Sequence, residues 1–110
     1  MSYTISSYVP SNIIKTKLRH AVKEGDLEEI KNIIFSGEAK LDDPIDIYTC
    51  HTLLHEAVIL NRMDLFNFLV KQGANLNLRD QNGYTPLLKA ASIGRVEMCQ
   101  ALVERGVDPR

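Results

Sequence analysis

Asp80-Gln81-Asn82-Gly83-Tyr84-Thr85-Pro86-Leu87-Leu88-Lys89-Ala90-Ala91, followed by Gly94-Arg95-Val96-Glu97, is the stretch on which the fold turns. It runs into the closely spaced Leu87, Ala90 and Ala91. Thr85, Leu87, Ala90, Leu102, Val103 and Gly106 have counterparts 33 residues earlier in Thr52, Leu54, Ala57, Leu69, Val70 and Gly73. Six identities at one spacing mark an internal repeat. A more diverged copy lies upstream at a spacing of 36, where Leu18, Ala21, Ile33 and Gly37 precede Leu54, Ala57, Leu69 and Gly73. The three extra residues fall between Glu38 and Thr52, in a connecting loop, because the helical patterns on either side stay in phase.

Within each copy the apolar spacing predicts two short helices. Leu54, Ala57 and Val58, then Leu65, Phe66, Leu69 and Val70, follow the i, i+3, i+4 pattern of one buried stripe per helix. Leu18, Ala21 and Val22 pair likewise with Ile30, Ile33 and Ile34, and Leu87, Ala90 and Ala91 with Met98, Leu102 and Val103. Ala21, Ala57 and Ala90 let the helices of a unit approach closely. Gly37, Gly73 and Gly106 follow the second helices, where a left-handed C-cap is cheapest for glycine. Gly25 and Gly94 sit at the reversal between helices, and Asn61 takes the equivalent place as the best substitute for glycine.

The quoted stretch resembles an ankyrin repeat, and the resemblance covers most of the chain. The middle unit keeps Thr52-Leu53-Leu54-His55-Glu56-Ala57 and Leu69-Val70-Lys71-Gln72-Gly73-Ala74-Asn75-Leu76-Asn77, similar to the family's T-P-L-H-x-A and L-L-x-x-G-A-D-x-N. It departs at Leu53, where Pro is usual, and at Cys50, where Gly is usual; Cys50 is expected not to take positive φ as glycine does, which sets the geometry of the Asp42 to Thr52 hairpin apart. The first unit keeps Gly25-Asp26-Leu27-Glu28, lacks the Thr-Pro start, and reads as an N-terminal cap. The resemblance implies an all-α solenoid of about three helix-turn-helix units with projecting hairpins and a concave surface. The expected organisation is a flexible tail over 1–11 and repeats over about 12–46, 47–79 and 80–110, the last incomplete.

Composition excludes several function classes. The chain has 110 residues, 45% hydrophobic and 25% charged, with 13 Lys+Arg against 14 Asp+Glu. A chain of that size is a single globular unit with a modest core. A net charge of −1 and scattered basic residues such as Lys15, Lys17 and Arg19 argue against nucleic acid as a partner. No apolar run approaches the ~20 residues of a membrane-spanning helix, and the start of the chain has no signal-peptide pattern. Two cysteines, Cys50 and Cys99, read as reduced thiols. The expected location is the cytoplasm, the nucleus or both.

Candidate chemistry is sparse. Cys50, His51 and His55 have metal-like spacing but lack a fourth ligand, so no metal or other cofactor is expected. The resemblance makes His55 a structural residue that ties neighbouring hairpin backbones. Pairing Cys50 with His51 or His55 as nucleophile and base, oriented by Glu56, finds no supporting motif, and no catalytic residue is assigned. His20 reads as a partly exposed cap residue, and Cys99, at the position of Phe66, as core packing.

What sets the chain apart lies where the family varies. Carried over by the resemblance, the variable hairpin and first-helix positions are Tyr48, Thr49, His51, Ile59 and Leu60 in the middle unit, and Gln81, Asn82, Tyr84, Ser92 and Ile93 in the last. Ile59, Leu60 and Ile93 would form an apolar strip flanked by Tyr48 and Tyr84, a composition suited to a contact hot spot. Against this, the turn at Asn61 would let Leu60 fold back into the core. The matching first-unit residues, Lys23 and Glu24, would make the groove charged toward the N-terminus.

The partner expected is another intracellular protein, bound by an adaptor, a scaffold or a stoichiometric inhibitor; the alternative is the N-terminal regulatory segment of a larger enzyme or channel. Asn77 matches the spacing at which ankyrin proteins resemble substrates of an asparaginyl hydroxylase, against the plainer reading of a hairpin residue satisfying its own turn. Ser2 to Val9 reads as a solvated tail with a phosphorylated or partner-bound tail as its alternative, and Pro10, Ser11 and Asn12 as a stop and helix N-cap. Met98 and Leu102 lack a following helix to cover them, so the chain is expected to continue beyond Arg110 or to associate end to end through its last unit.

Overall fold

The computed structural model describes residues 11–107, and every regular element among them is helical: α1 (Ser11–Glu24), α2 (Leu27–Ser36), α3 (Leu53–Ile59), α4 (Met63–Lys71), α5 (Pro86–Ser92) and α6 (Val96–Glu104). None is long and apolar enough to cross a membrane. The serine-rich tail lies outside the described residues. The chain divides between Lys40 and Leu41 into two compact units.

In the first unit, α1 packs on α2 through Leu18, Ala21, Val22, Ile30 and Ile33, all buried as the spacing predicts; Ile34 is only half-buried. Gly25 at φ +76° makes the reversal, and Asp26 caps α2 by accepting from the Glu29 amide at 3.1 Å. Glu28 and Glu29 then sit in the first turn, where the helix dipole favours negative charge. Gly37, at φ +83°, closes α2 by donating to the Ile34 carbonyl. His20 is an exposed residue inside α1 rather than a cap, since the helix runs on to Glu24.

In the second unit, α3 pairs with α4, α5 pairs with α6, and α3 packs on α5. Thr52 and Thr85 cap the first helices, accepting from the amides of His55 and Leu88. Pro86 occupies the first turn of α5, where an absent N–H costs nothing, and its counterpart Leu53 begins α3 fully buried. Asn61 turns between α3 and α4 at φ +57°. Ala57 and Ala90 are completely buried between helices.

Several expectations need correction here. Cys50 does adopt positive φ, +60°, because the Asp46 carboxylate accepts from the amides of Tyr48 and Thr49 and the Cys50 amide donates to the Asp46 carbonyl. In the next hairpin the equivalent Gly83 donates instead to the Asp80 carbonyl, three residues back rather than four, so the Cys50 turn is one residue wider. Met98 and Leu102 are fully buried within their own unit; the apolar side chains that α6 leaves open are Val96 and Val103, with Cys99 half-buried rather than in the core. Ala91 is likewise exposed. The Leu60 side chain stays out of the core. The amide of Asn77 is satisfied by the Asn75 side chain, at 2.9 Å, and Asn77 is exposed.

Candidate hairpin and helix interaction face

The two hairpins of the second unit are fastened to each other by side chains whose positions follow from the helix caps. His55 lies in the first turn of α3, and the N-terminal turn leaves the Thr52 amide needing an acceptor. Nδ1 of His55 supplies it at 3.2 Å, while the Thr52 hydroxyl accepts from the His55 amide, a reciprocal capping box. Nε2 lies 2.8 Å from the Tyr84 carbonyl of the next hairpin. A carbonyl only accepts, so Nε2 carries the proton and Nδ1 is free to accept. Burial pushes His55 below the usual histidine range, against the opposing pull of the Tyr84 carbonyl. The role implied by the family resemblance for His55 is the geometry seen.

Asp80 is the second fastening. Oδ1 accepts from the amides of Asn82 and Tyr84, each at 2.9 Å, and Oδ2 lies 3.2 Å from Nε2 of His51 and 3.9 Å from the Lys89 ammonium. Burial works to raise its pKa; the Tyr84 and Asn82 amides, with Lys89 nearby, outweigh it and hold the carboxyl below the ordinary range. Nδ1 of His51 lies 3.3 Å from Glu56, and its ring stacks on that of His55 at 5.6 Å. Two further bonds cross between loops, from the Gln81 amide to the Thr49 carbonyl at 2.7 Å and from the Asn75 amide to Asp42 at 2.8 Å.

The residues singled out from the sequence differ in how open they are. Tyr48 is 81% exposed, Ile93 42%, Leu60 39% and Tyr84 36%. Ser92 is exposed and Ile59 half-buried. His51 is not a free contact residue: only 16% of its side chain is open, and both ring nitrogens face carboxylates. The Tyr84 ring is steadied by Lys89, whose ammonium lies 4.5 Å from the ring centroid. Ile59 and Leu60 are steadied by Arg95, which donates from Nε to the Val58 carbonyl at 3.0 Å and from Nη2 to the Ile59 carbonyl at 2.8 Å.

Sequence reasoning missed Lys89 and Arg95. A signal existed for Lys89, which stands one turn after Thr85 and opposite the turn-forming Asp80. For Arg95 there was none, since its acceptors are backbone atoms with no residue signature. Cys50 Sγ lies against Gln81 Oε1 at 3.8 Å and the Ile47 carbonyl at 4.0 Å. Among the described residues, no three His, Cys, Asp or Glu side chains converge as metal ligands.

The family model for ankyrin repeats, three copies, matches residues 18–110. Protein phosphatase 1 regulatory subunit 27 of Mus musculus is 34% identical over 91 residues, which are 79% of this chain and 55% of that protein. The chain therefore spans about half the length of that relative. Diacylglycerol kinase iota of Rattus norvegicus is 34% identical over 88 residues, 80% of this chain and 8% of the kinase. Among solved structures, a chain in the complex of a predatory endopeptidase from Bdellovibrio bacteriovorus with an immunity protein superposes with a TM-score of 0.73 at 27% identity, covering 84% of this chain and 47% of that one. Such repeats are non-catalytic modules of protein–protein interaction. With 33-residue helix pairs, threonine caps and a histidine tie between hairpins all in place, this chain belongs to the ankyrin repeat family.

Proposed function

We propose that the chain acts as an adaptor, scaffold or stoichiometric inhibitor that holds another protein, in the cytoplasm or nucleus, in a groove lined by the hairpins and first helices. Tyr48, Leu60, Tyr84 and Ile93 make the contact, with Ile59 behind them, Ser92 at the rim and His51 beneath. The observation that carries this reading is the pairing of exposed large apolar side chains with a floor already locked by internal bonds. Rigid anchors lose little entropy on binding, so their burial contributes more to affinity.

The test is affinity capture from lysate with the wild type and a Tyr84→Ala/Ile93→Ala variant that keeps its helical circular dichroism, followed by binding of the recovered protein in purified form. A target bound at least tenfold more weakly by the variant supports the groove. Equal binding by both moves the contact elsewhere. A second reading is favoured by the alignment of 80% of this chain to a small part of a lipid kinase: the chain would be the regulatory ankyrin segment of a larger enzyme or channel. Sequencing the transcript past the codon for Arg110 decides it, a catalytic or membrane-spanning continuation supporting this reading and a stop codon there overturning it.

A further inference from the structure

We infer that Asn82 is a site of spontaneous covalent modification, at which the Gly83 backbone nitrogen attacks the Asn82 side-chain amide, and that the closed turn of the third repeat's hairpin sets how fast it reacts. The site is defined first by its neighbour. Of the seven asparagines in the chain, Asn82 alone precedes glycine; the others precede Ile, Arg, Phe or Leu, whose side chains crowd the approach to the peptide nitrogen. Asn82 is exposed, but so are Asn75 and Asn77, each followed by Leu, so access to water does not set it apart. In the preceding hairpin the equivalent pair is Thr49-Cys50, which offers no such reaction.

Loss of its proton makes the Gly83 nitrogen a nucleophile. It forms a bond to Cγ of Asn82, the side-chain nitrogen takes up a proton and leaves as ammonia, and a cyclic succinimide remains. Water then opens the ring at either carbonyl, giving aspartate or isoaspartate and a new negative charge in both cases. The fold holds the nucleophile back. The Gly83 amide donates to the Asp80 carbonyl at 3.0 Å, and Oδ1 of Asp80 accepts from the amides of Asn82 and Tyr84, each at 2.9 Å. The Asp80 amide donates to the Tyr84 carbonyl at 2.9 Å, and Arg79 donates from Nη1 to the Gly83 carbonyl at 2.7 Å. A nitrogen whose N–H points at a carbonyl has to break that bond before it can lose the proton and turn toward Cγ. Local opening of the hairpin therefore precedes the reaction, and exchange of the Gly83 amide reports the same opening. Isoaspartate carries the chain through its side-chain carboxyl and so lengthens the backbone by one carbon. That displaces the Tyr84 carbonyl, which lies 2.8 Å from Nε2 of His55, and loosens the tie between the hairpins.

The full chain, incubated in mildly alkaline buffer both folded and in denaturing guanidinium chloride, provides the test. Each asparagine is followed by the mass gained when an amide becomes an acid, and isoaspartate by labelling with an isoaspartyl methyltransferase. In the folded chain Asn82 is expected to convert at least tenfold faster than Asn75 or Asn77, and at least tenfold more slowly than Asn82 of the denatured chain. Asn82→Gln, a change at an exposed position, should keep the helical circular dichroism and abolish the signal. Sub-denaturing guanidinium chloride should quicken Asn82 conversion and Gly83 amide exchange by the same factor. Conversion at Asn82 no faster than at Asn75 and Asn77 would overturn the site. Equal rates in the folded and denatured chains, or conversion that does not follow Gly83 exchange, would overturn the control by the turn.

Discussion

At the scale of single residues, two positions carry costs that the fold has to meet. Cys50 sits at φ +60°, where a side chain other than Asn, Asp or Gly is strained by about 1–2 kcal/mol. Replacing it with glycine relieves that strain but adds freedom to the unfolded chain, so Cys50→Gly is expected to raise stability by about 0.5–1 kcal/mol net. Urea denaturation measures it; an unchanged midpoint would show that the Asp46 turn already relieves the strain. His55 has its cost in protonation. Its folded pKa lies below the ordinary 6.5, so the unfolded chain takes up a proton at pH values where the folded chain refuses it. Its contribution is therefore present above about pH 6.5 and is lost as pH falls from there toward the lowered folded value. His55→Gln is expected to cost about 1–3 kcal/mol at pH 7.5, through the broken cap and hairpin tie, and to flatten stability between pH 8 and 5 relative to the wild type. Wild-type and variant profiles that run parallel would remove His55 as the titrating group.

At the scale of elements, the C-terminus of α3 depends on a residue from the next repeat. The last carbonyls of any helix lack intrahelical donors, and here the Val58 carbonyl accepts from the Asn61 amide and from Arg95, just ahead of α6, while that of Ile59 accepts from Arg95. Arg95→Met keeps much of the aliphatic stem and removes the donors, with an expected loss of about 1–3 kcal/mol. Hydrogen exchange should quicken first at the amides of Leu60, Asn61 and Arg62, which bond to the same end of α3. Exchange that quickens equally along α1 and α2 would instead indicate a global effect. This element also shows what the sequence could and could not reveal. The helices and the turns at Gly25, Asn61 and Gly94 were legible because each is set by a local pattern. The wide turn that lets Cys50 take positive φ was not, because its cause is a carboxylate four residues earlier acting on backbone amides. At the proposed face, the exposure of Tyr48, Tyr84, Leu60 and Ile93 was legible, because each stands at a hairpin or helix-end position of its repeat. The covering of His51 was not, since its neighbours Asp80 and Glu56 come together only when the hairpin of one repeat meets the next.

At the scale of the molecule, a repeat is stable to the extent that its neighbour covers it. Val70 on α4 is buried and Met63 half-buried, whereas their counterparts on α6, Val103 and Val96, are 49% and 63% exposed. The position of Phe66, fully buried on α4, is taken on α6 by Cys99, which lines a cavity of about 440 Å³ with Gln100, Val103 and Glu104. The same stripe is thus covered in one repeat and open in the next. Apolar area left open favours association by about 25 cal/mol per Å² when it is removed from water. A patch of two valines and one thiol is small beside the ~800 Å² per partner of a standard interface, so the association expected is weak. Sedimentation of the wild type should show an apparent mass that rises through the high micromolar range. Val96→Lys/Val103→Lys should stay monomeric at the same concentrations with its helical content intact, since both side chains are exposed and neither supports the core. A wild type that is monomeric throughout, or a variant that associates equally, would place the open stripe outside any contact between copies.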